Sequence, residues 1–566
     1  MSAVAAARRL RARAGALLAL VLVAVLTACA GLPVTGPVNP GRALEEDAAL
    51  PDFAFVPDSP SPGATPQQIV EGFIAAGSGP RGNWQTAQEY LAPAFRAQWK
   101  PRAGVVVDLP GDRAYRETAT DAITLTVRPE ATVDETGAYS VAAGGDIQLA
   151  FRLAKQSDGQ WRITEAPDGI VLDRNRFQSV FRSYSLMYFD PTWTYLVPDQ
   201  RWFPVTNPAT YVAEALIHGA PSPWLEASVV TAFPENLELS QQAVPVRSGI
   251  AQVSVSHAAL AVEPEMLSRM QAQLEQSLAS VGILGAQLLV DDQPLTATAA
   301  AVLSTRVDAR PLVETAAGFG FLSGTELQSV GALSSQIEGA DAVAVQVSAD
   351  FTLAAVLDVS GRVLRVEGSR QPVVVDERAG LIAPTLDPQG FVWSVPAGQP
   401  ASVVAYGADG GAHTVAQAWP GAVRITAMQV SRDGTRVAAL VRDGQRSVLW
   451  VAGVVRDDDG APTALGEPVL LAELGGSGVS LGWLDDRTVA AVVRDGDQWQ
   501  LCEQPVGGIG ATTSAPAGAV ELAGGNQAGT VRLRDATGGL YTQRGGSWQH
   551  LASDVHLLAS QQGMPR

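Results

Sequence analysis

The sequence predicts a multidomain protein in which an α+β region, an α/β region and an all-β region follow one another along the chain. Residues 65–190 begin with apolar residues at helical spacing and continue with long alternating strands, and residues 194–306 alternate helices with short strands. In residues 312–566 a strand–turn–strand pattern recurs at intervals of roughly 40 to 55 residues. A chain of 566 residues is too long for one hydrophobic core, and at about 150 residues per domain it holds three or four.

The N-terminus predicts a lipoprotein signal peptide over residues 1–28. A cluster of arginines is followed by an uncharged apolar stretch of about 15 residues, which suits a signal-peptide core and is shorter than the about 20 residues that span a bilayer. The stretch ends in Leu26-Thr27-Ala28-Cys29, which matches the bacterial lipobox. We therefore predict cleavage between Ala28 and Cys29 and lipid attachment to the Cys29 thiol, with two or three acyl chains in all. The alternative is an uncleaved membrane anchor with an incidental cysteine. Both place the remaining chain on the extracytoplasmic face of the cell membrane.

Residues 29–64 are predicted to form a tether, because prolines punctuate this segment. Proline favours an extended polyproline II conformation that rises about 3.1 Å per residue. At that rise the tether reaches on the order of 100 Å at most. It therefore holds the folded regions clear of the bilayer.

The first folded region, residues 65–190, resembles the NTF2-like cone. Thr65-Pro66 predicts a helix start, and a second helix is predicted from Trp84 to Leu91. Long strands follow at residues 123–127 and 147–153, and the latter closes through a turn on the segment Asp158-Gly159-Gln160-Trp161-Arg162-Ile163. Such cones can hold an active site. This region contains no histidine and no evident acid/base pair, so a scaffold is predicted.

The second region, residues 194–306, resembles the GerMN domain, an α/β interaction module of bacterial envelope and spore proteins. A helix is predicted from Asn207-Pro208 to Gly219, and residues 226–240 predict a strand, a turn and a second strand. A long amphipathic helix follows Glu263-Pro264, and a strand that ends in an acidic turn comes next. The apolar stripe of the long helix is predicted to be core, and it consists of Leu267, Met270, Leu274, Leu278 and Val281.

The third region, residues 312–566, predicts a β-propeller. Segments of the type strand, polar turn, strand occur at residues 347–354, 386–393, 430–438 and 484–490, with a weaker copy at 531–541. A four-stranded blade needs about the length between these copies, and a ring of blades buries each open face on its neighbour. The length allows five or six blades. The competing fold is a pair of β-sandwiches.

A lipobox, a proline-rich tether, an NTF2-like module, a GerMN domain and a C-terminal propeller occur in this order in the actinobacterial LpqB lipoproteins, which the chain resembles over its whole mature length. The resemblance implies association with the MtrA–MtrB two-component system. It implies contact with the extracellular part of the MtrB sensor kinase and effects on cell-wall metabolism and division. Cys29 is the only site residue that the resemblance transfers.

Composition and motifs exclude several function classes. The formal net charge is −18 and no basic patch is present, so nucleic acid is not a predicted partner. The five histidines lack zinc-ligand spacing, and neither a nucleophile elbow nor a phosphate-binding glycine loop occurs. We therefore predict no metal, no cofactor and no catalytic residue.

Three further features have structural interpretations. Cys502 is the only cysteine left once Cys29 carries lipid, so no intramolecular disulfide is possible, and its strand context predicts a buried thiol. Residues 457–460 predict an acidic turn instead of a calcium loop, because the later glutamate of an EF-hand is missing. The tryptophans of the third region are predicted to pack between blades instead of lining a sugar site; they are Trp393, Trp450, Trp483, Trp499 and Trp548.

The leading functional hypothesis is a non-enzymatic adaptor of the cell envelope. One alternative is a wall-active hydrolase or lyase in which the propeller is the active domain, with Asp485 and Asp486 as acidic candidates. Adjacent strand residues point to opposite faces, which disfavours that pair. A further alternative is a lipoprotein that binds peptidoglycan, another wall glycan or a solute.

Overall fold

The computed structural model describes residues 57–564 except 110, 143, 369 and 528. The signal peptide, Ala28, Cys29 and most of the tether lie outside these residues, so those predictions stay predictions. Residues Val56–Arg566 form one compact unit. Among the described helices, none has the length and apolar character that a bilayer crossing requires.

The first region opens with a capped helix and continues as antiparallel strands. Thr65 caps the helix with a full capping box to Gln68, which confirms the predicted start. The apolar face of this helix packs with Ile123 and Phe151 in one core. The strands form two four-stranded sheets, in the orders β5-β4-β1-β8 and β2-β3-β6-β7. The elements are α1 (Pro66–Ala76), α2 (Arg81–Glu89), α3 (Pro93–Arg96), a 3-10 turn (Pro101–Ala103), β1 (Gly104–Asp108), β2 (Ala114–Ala119), β3 (Ala122–Val127), β4 (Pro129–Asp134), β5 (Tyr139–Val141), β6 (Ile147–Lys155), β7 (Trp161–Glu165), β8 (Ile170–Asp173) and α4 (Arg174–Val180).

The second region combines a long hairpin with a small sheet covered by helices. The first strand of this hairpin precedes the predicted boundary at residue 190, because Leu186 and Tyr188 pack in the core of the second region. Strands β12 and β13 are parallel and are joined by the long helix, whose Met270, Leu274 and Leu278 are fully buried as predicted. The small sheet has the order β11-β12-β13-β14, and β9 pairs with β10. The elements are β9 (Phe181–Phe189), β10 (Leu196–Pro204), α5 (Pro208–His218), a 3-10 turn (Glu226–Ser228), β11 (Val246–Arg247), β12 (Ile250–Ser254), a 3-10 turn (His257–Ala261), α6 (Pro264–Ala279), β13 (Gly285–Val290) and β14 (Gln293–Pro294).

The strand–turn–strand prediction for residues 226–240 is wrong. The segment begins with a 3-10 turn, and its only pairings are isolated bridges from Val230 to Phe189 and from Leu239 to Val255. Between the bridges, Phe233 and Leu237 enter the core of the region. The apolar residues that suggested strands are therefore buried by an irregular segment that crosses the sheet edges.

The third region is a β-propeller, and six blades lie within the described part of it, five with four strands and one with five. One helix, α7 (Gly331–Glu338), interrupts the strands. In chain order the strands are β15 (Leu312–Thr315), β16 (Gly318–Ser323), β17 (Glu326–Ser329), β18 (Ala342–Val347), β19 (Leu353–Asp358), β20 (Val363–Glu367), β21 (Val373–Asp376), β22 (Thr385–Leu386), β23 (Val392–Ser394), β24 (Val404–Tyr406), β25 (Ala412–Thr414), β26 (Arg424–Val430), β27 (Arg436–Asp443), β28 (Arg446–Arg456), β29 (Pro462–Leu465), β30 (Val469–Leu474), β31 (Ser477–Trp483), β32 (Thr488–Asp495), β33 (Gln498–Pro505), β34 (Ala511–Ser514), β35 (Ala519–Ala523), β36 (Arg532–Asp535), β37 (Leu540–Arg544), β38 (Ser547–Ala552) and β39 (Val555–Gln561).

The ring closes by joining the two ends of the region. Blades 1 to 5 begin at β18, β22, β26, β31 and β35, and blade 6 combines the last strand, β39, with β15, β16 and β17. Strand β39 is antiparallel to β15 and also pairs in parallel with β18 at the start of blade 1. This pairing covers the strand edges that the two ends of the propeller region would otherwise expose.

The predicted repeats are the turns between the first and second strands of blades 1 to 4. In blades 1 and 3 the turn has the pattern Ser-x-Asp-x-Thr, and the aspartates Asp350 and Asp433 accept hydrogen bonds from the serine hydroxyl and from the threonine N–H and hydroxyl. The weaker copy at residues 531–541 is not equivalent, because it spans the turn between β36 and β37 of blade 5. There the Asp535 carboxylate accepts hydrogen bonds from the N–H groups of Thr537 and Gly539. This aspartate-capped turn is why the segment resembles the other copies in sequence.

Candidate binding surface

A buried ion pair fastens the first region to the second. Arg201 and Asp199 on β10 lie 2.8 Å apart and are each 3% exposed. Arg201 also donates to the carbonyls of Thr136 in the first region and Ala220 in the second, both at 3.1 Å, and Asp199 accepts from the Ser222 N–H and hydroxyl at 2.7 Å. Burial alone lowers the pKa of Arg201, but the neighbouring Asp199 carboxylate reverses this and the net pKa is raised. Arg201 therefore stays charged, and the pair holds three segments in one arrangement.

Trp202 extends this junction to the propeller. Its indole N–H donates to the Gly507 carbonyl at 2.9 Å, and its ring packs on Phe177 and Tyr139 at centroid distances of 4.7 and 5.8 Å. Ile509 of the same propeller loop packs against the core of the first region. One aromatic side chain therefore contacts all three regions.

The segment that leaves the second region, residues 303–310, runs over one face of the propeller; we call it the exit segment. Val307 exchanges two hydrogen bonds with the Asn526 amide, at 2.7 and 2.9 Å. Arg432 donates to the Thr305 carbonyl at 3.3 Å, and Arg532 donates to the Ala309 carbonyl. The Asp308 N–H donates to the Gln561 side-chain oxygen of blade 6 at 3.1 Å. Because blades 3, 5 and 6 all hold this segment, its path over the propeller is fixed.

A cleft of about 1600 Å³ opens between the exit segment and blades 6, 1 and 2; we call it the binding cleft. Several parts of the chain line it. These are the exit segment with Tyr195, strands β16 and β17 of blade 6, the turns that follow the first strands of blades 1 and 2, and the start of α7 together with the end of β20. Met564, which is 46% exposed, also lines it. This volume exceeds the 300–1,000 Å³ typical of small-molecule pockets, so the cleft has the dimensions for a polypeptide segment.

Two arginines and two phenylalanines shape the interior of the binding cleft. Arg310 pairs with Asp308 at 2.6 Å and lies over the Phe321 ring at 4.7 Å, and Phe321 contacts Phe351 at 5.3 Å. The hydrogen bond from Arg310 lowers the pKa of Asp308. On the far wall Arg365 donates to the Gly390 carbonyl at 2.6 Å. The cleft therefore offers held charges beside aromatic faces, a combination enriched in protein interfaces.

The carboxylates of the binding cleft are engaged by neighbours. Asp387 accepts from the Phe391 N–H, the Trp393 indole and Arg456, at 2.9, 3.0 and 2.8 Å. Burial acts to raise the pKa of Asp350, but hydrogen bonds from Ser348 and Thr352 outweigh it and lower the pKa. A lowered pKa, as at Asp350, suits recognition, whereas a general acid needs a raised pKa.

The acidic pair named from the sequence lies in a turn, not in a strand. Asp485 and Asp486 fall between β31 and β32, so the alternation argument used against them does not apply. The Asp485 carboxylate caps the turn by accepting from the N–H groups of Arg487 and Thr488, at 2.8 and 2.7 Å. Burial, followed by the charge of Asp485, raises the pKa of Asp486.

The remaining sequence predictions fall in the propeller. Cys502 is buried in β33, as predicted, and burial raises the pKa of its thiol. The acidic segment 457–460 is a turn between β28 and β29, also as predicted. Trp393 and Trp483 are fully buried, and the other three tryptophans are half-buried against blade cores. Within the described ranges no three acidic, histidine or cysteine side chains come together as metal ligands.

Sequence reasoning missed the binding cleft. Arg310, Phe321 and Arg365 occur singly in unremarkable strand or loop contexts, and only ring closure brings them together. The one local signal was the run of aspartate turns, which marks the propeller face but not which blades stay uncovered.

Models of known families match the chain in the predicted order. Residues 59–178 match the model described as lipoprotein LpqB, N-terminal domain; residues 185–296 match sporulation and spore germination; and residues 322–556 match the lipoprotein LpqB beta-propeller domain. Among solved structures, TolB from Acinetobacter baumannii covers 72% of this chain and 79% of its own, with 12% identity and a TM-score of 0.27, which is too low to support a fold argument.

Two curated relatives match more than four fifths of the chain. Lipoprotein LpqB of Mycolicibacterium smegmatis is 28% identical over 82% of this chain and 83% of its own, and that of Rhodococcus opacus is 26% identical over 85% of each. The relative from Thermobifida fusca is 30% identical over a shorter match, 45% of this chain and 43% of its own length. With the N-terminal, germination-type and propeller models in sequence and relatives of one name matched over 82–85% of the chain, the chain belongs to the LpqB lipoprotein family.

Proposed function

We propose that this protein is a non-enzymatic adaptor, anchored by lipid on Cys29 to the extracytoplasmic face of the cell membrane, that modulates an MtrB-like sensor kinase. Its effects on cell-wall metabolism and division follow from that signalling. The partner surface is the binding cleft, and the partner segment is the extracellular part of the kinase.

The single observation that carries this proposal is the form of the binding cleft. It is too large for an ordinary small-molecule pocket, and its carboxylates are held in ion pairs and turns. Lining residues from different segments are hydrogen-bonded to one another, Arg310 to Gln328 and Arg365 to Gly390, so the surface exists before a partner arrives. A preformed surface reduces the ordering cost of association.

Lipid anchoring raises the effective concentration of such a surface near a membrane partner. A lipobox cysteine with two or three acyl chains gives stable anchoring, whereas one chain binds only marginally. Confinement to the same membrane then favours a weak contact without any additional interaction energy. The C29S variant is expected to carry no lipid and to keep its signal peptide uncleaved, and a variant that stayed processed and membrane-bound would contradict the anchoring step.

Site-specific photo-crosslinking in intact cells tests the partner surface. A photoreactive residue at Ser329 or Met564 lines the binding cleft, whereas Thr513, which is exposed on β34 of blade 4, serves as the matched control. The expected result is a crosslinked adduct with a sensor kinase from the two cleft positions and none from Thr513. Equal adducts from all three positions, or no kinase in any adduct, would overturn the proposal.

The rival function is hydrolysis or lysis of cell-wall glycan in the propeller. Asp486 has the raised pKa that a general acid needs, but Asp485 beside it is committed to the turn. Incubating the purified protein with peptidoglycan distinguishes the two functions: muropeptide release that D486N abolishes would establish the enzyme. Retention of peptidoglycan without release would instead identify a glycan-binding lipoprotein.

A further inference from the structure

A second, smaller cleft of about 160 Å³ lies between blades 3 and 4; we call it the arginine cleft. Its polar lining consists of Arg424, Thr426, Arg442, Ser447 and Ser477, with the backbone of Gly478. Arg424 begins β26, a strand of seven residues whose far end runs into the turn beneath the exit segment. Seven strand residues span about 23 Å, so the arginine cleft opens on the propeller face opposite the binding cleft.

Two like charges face each other in this cleft. Arg424 on β26 and Arg442 on β27 are paired directly across the antiparallel ladder, and both are exposed. Directly opposed side chains lie about 5 Å apart at their Cβ atoms, where like charges destabilise the sheet. Within the described part of the chain, neither guanidinium has a hydrogen-bond or ion-pair partner.

Two carboxylates of the same blade are engaged by a third arginine. Arg446 pairs with Asp443 at 2.7 Å and with Glu473 at 2.6 Å, and neither acid lines the arginine cleft. Residues paired across the strands of blade 3 form one row, which continues from Arg442 to Ser447 on β28 and ends at Leu474 on β30. Positive charge and a hydroxyl therefore share one face of the blade.

The backbone keeps this cleft open. Strand β26 has a bulge between Ile425 and Ala427, and β31 of the facing blade has one between Gly478 and Ser480. Bulges bend strands and redirect side chains, and they are common next to binding sites. Gly478 adds room, because a Cβ there would lie 3.0 Å from the Leu440 side chain.

We propose that the arginine cleft binds a phosphate group, as the free ion or as the phosphodiester of a lipid headgroup. Guanidinium groups bind phosphate through paired N–H donors, and the hydroxyls of Ser447 and Ser477 supply further donors. A tetrahedral phosphate has enough acceptor oxygens for this set of donors. The bound anion also removes the repulsion between Arg424 and Arg442. The site is separate from the sensor-kinase surface, so the two proposals stand or fall independently.

Calorimetric titration of the full-length protein in detergent tests the site with two probes, inorganic phosphate and glycerophosphoglycerol, the soluble headgroup of phosphatidylglycerol. We expect binding of at least one probe with a Kd below about 1 mM. R424Q and R442Q are each expected to weaken it at least ~10-fold. R544Q, which removes an exposed arginine from the end of β37 in blade 5, is the matched control and is expected to bind as the parent does.

The thermal midpoint without ligand provides a second readout. R424Q and R442Q are expected to melt at or above the parent temperature, because each removes one of two repelling charges. Binding of phosphate alone assigns the free ion as the ligand, and binding of the headgroup alone assigns the lipid. Absence of both at ~10 mM, or equal binding by R544Q and the R424Q/R442Q double variant, would overturn the proposal.

Discussion

The turns of blade 1 and blade 3 share one hydrogen-bond pattern but have opposite surroundings. Asp350 of blade 1 is exposed at the binding cleft, whereas Asp433 of blade 3 is buried and pairs with the equally buried Arg436 at 2.5 Å. The Arg436 guanidinium also lies over the Trp483 ring of blade 4 at 5.0 Å. The same local motif therefore borders the binding cleft in one blade, whereas in the other it holds a buried ion pair whose arginine packs on the next blade.

The largest expected effect comes from removing the buried charge. D433N keeps the acceptor that forms the turn but leaves Arg436 buried without its counter-ion, which costs about 3–5 kcal/mol. D350N, the matched change in blade 1, is expected to cost about 1 kcal/mol or less, because no buried cation depends on Asp350. Chemical denaturation of both variants measures the difference.

Recovery of stability in a double variant would distinguish loss of the charge pair from damage to the turn. A D433N/R436M double variant replaces the pair by a neutral amide and an apolar side chain, and replacing buried pairs by apolar groups is often near neutral. The double variant is expected to recover most of the stability that D433N loses. If it is no more stable than D433N, the unpaired arginine is not the source of the loss.

The next largest loss of stability is expected at the residue that follows the aspartate in the blade 3 turn. Gly434 has φ +76°, and a Cβ there would lie 2.8 Å from Pro388 Cδ. G434A is therefore expected to destabilise by about 1–3 kcal/mol, from backbone strain and from contact with the turn of blade 2. Thermal melting checks this, with G444A, at an open turn of similar φ with no atom within 4 Å, as the control. Equal losses in both variants would leave backbone strain as the only cause.

The sequence predicted the structures that neighbouring residues determine. It did not predict the features that depend on closure of the propeller ring. Turns such as Ser431–Thr435 are set by neighbouring side chains, so their repetition predicted the propeller. The arrangement of β39 between β15 and β18 joins strands more than 200 residues apart, and no local pattern determines it. The binding cleft depends on that closure and on the exit segment, which has no regular secondary structure.

The stability of the parent and of D350N is expected to depend differently on pH, because only the parent has an ionisable carboxylate in the blade 1 turn. The folded-state pKa of Asp350 is lowered, so its contribution to stability is present above the unfolded value of about 3.9 and is lost as the pH falls through the folded pKa. The stability difference between the parent and D350N is therefore expected to be constant from neutral pH to about pH 5 and to shrink below about pH 4. Denaturation midpoints of both proteins between pH 3 and 7 provide the measurement. A difference that stays the same down to pH 3 would show that the ionised carboxylate adds nothing to the turn.

The smallest stability effect is expected where the two turns differ most in sequence. Phe351 occupies the position of Gly434 and has φ +59°, a left-handed conformation that is uncommon for a bulky residue. Its ring contacts Phe321 in the binding cleft, so strain and packing act in opposite directions. F351G relieves about 1 kcal/mol of strain and removes a comparable packing energy, and the melting temperature is expected to change little. Crosslinking from Ser329 to the sensor kinase is nevertheless expected to fall, because the aromatic face is gone. A large loss of stability with unchanged crosslinking would mean that Phe351 holds the blade together and that its strained backbone has no role in recognition.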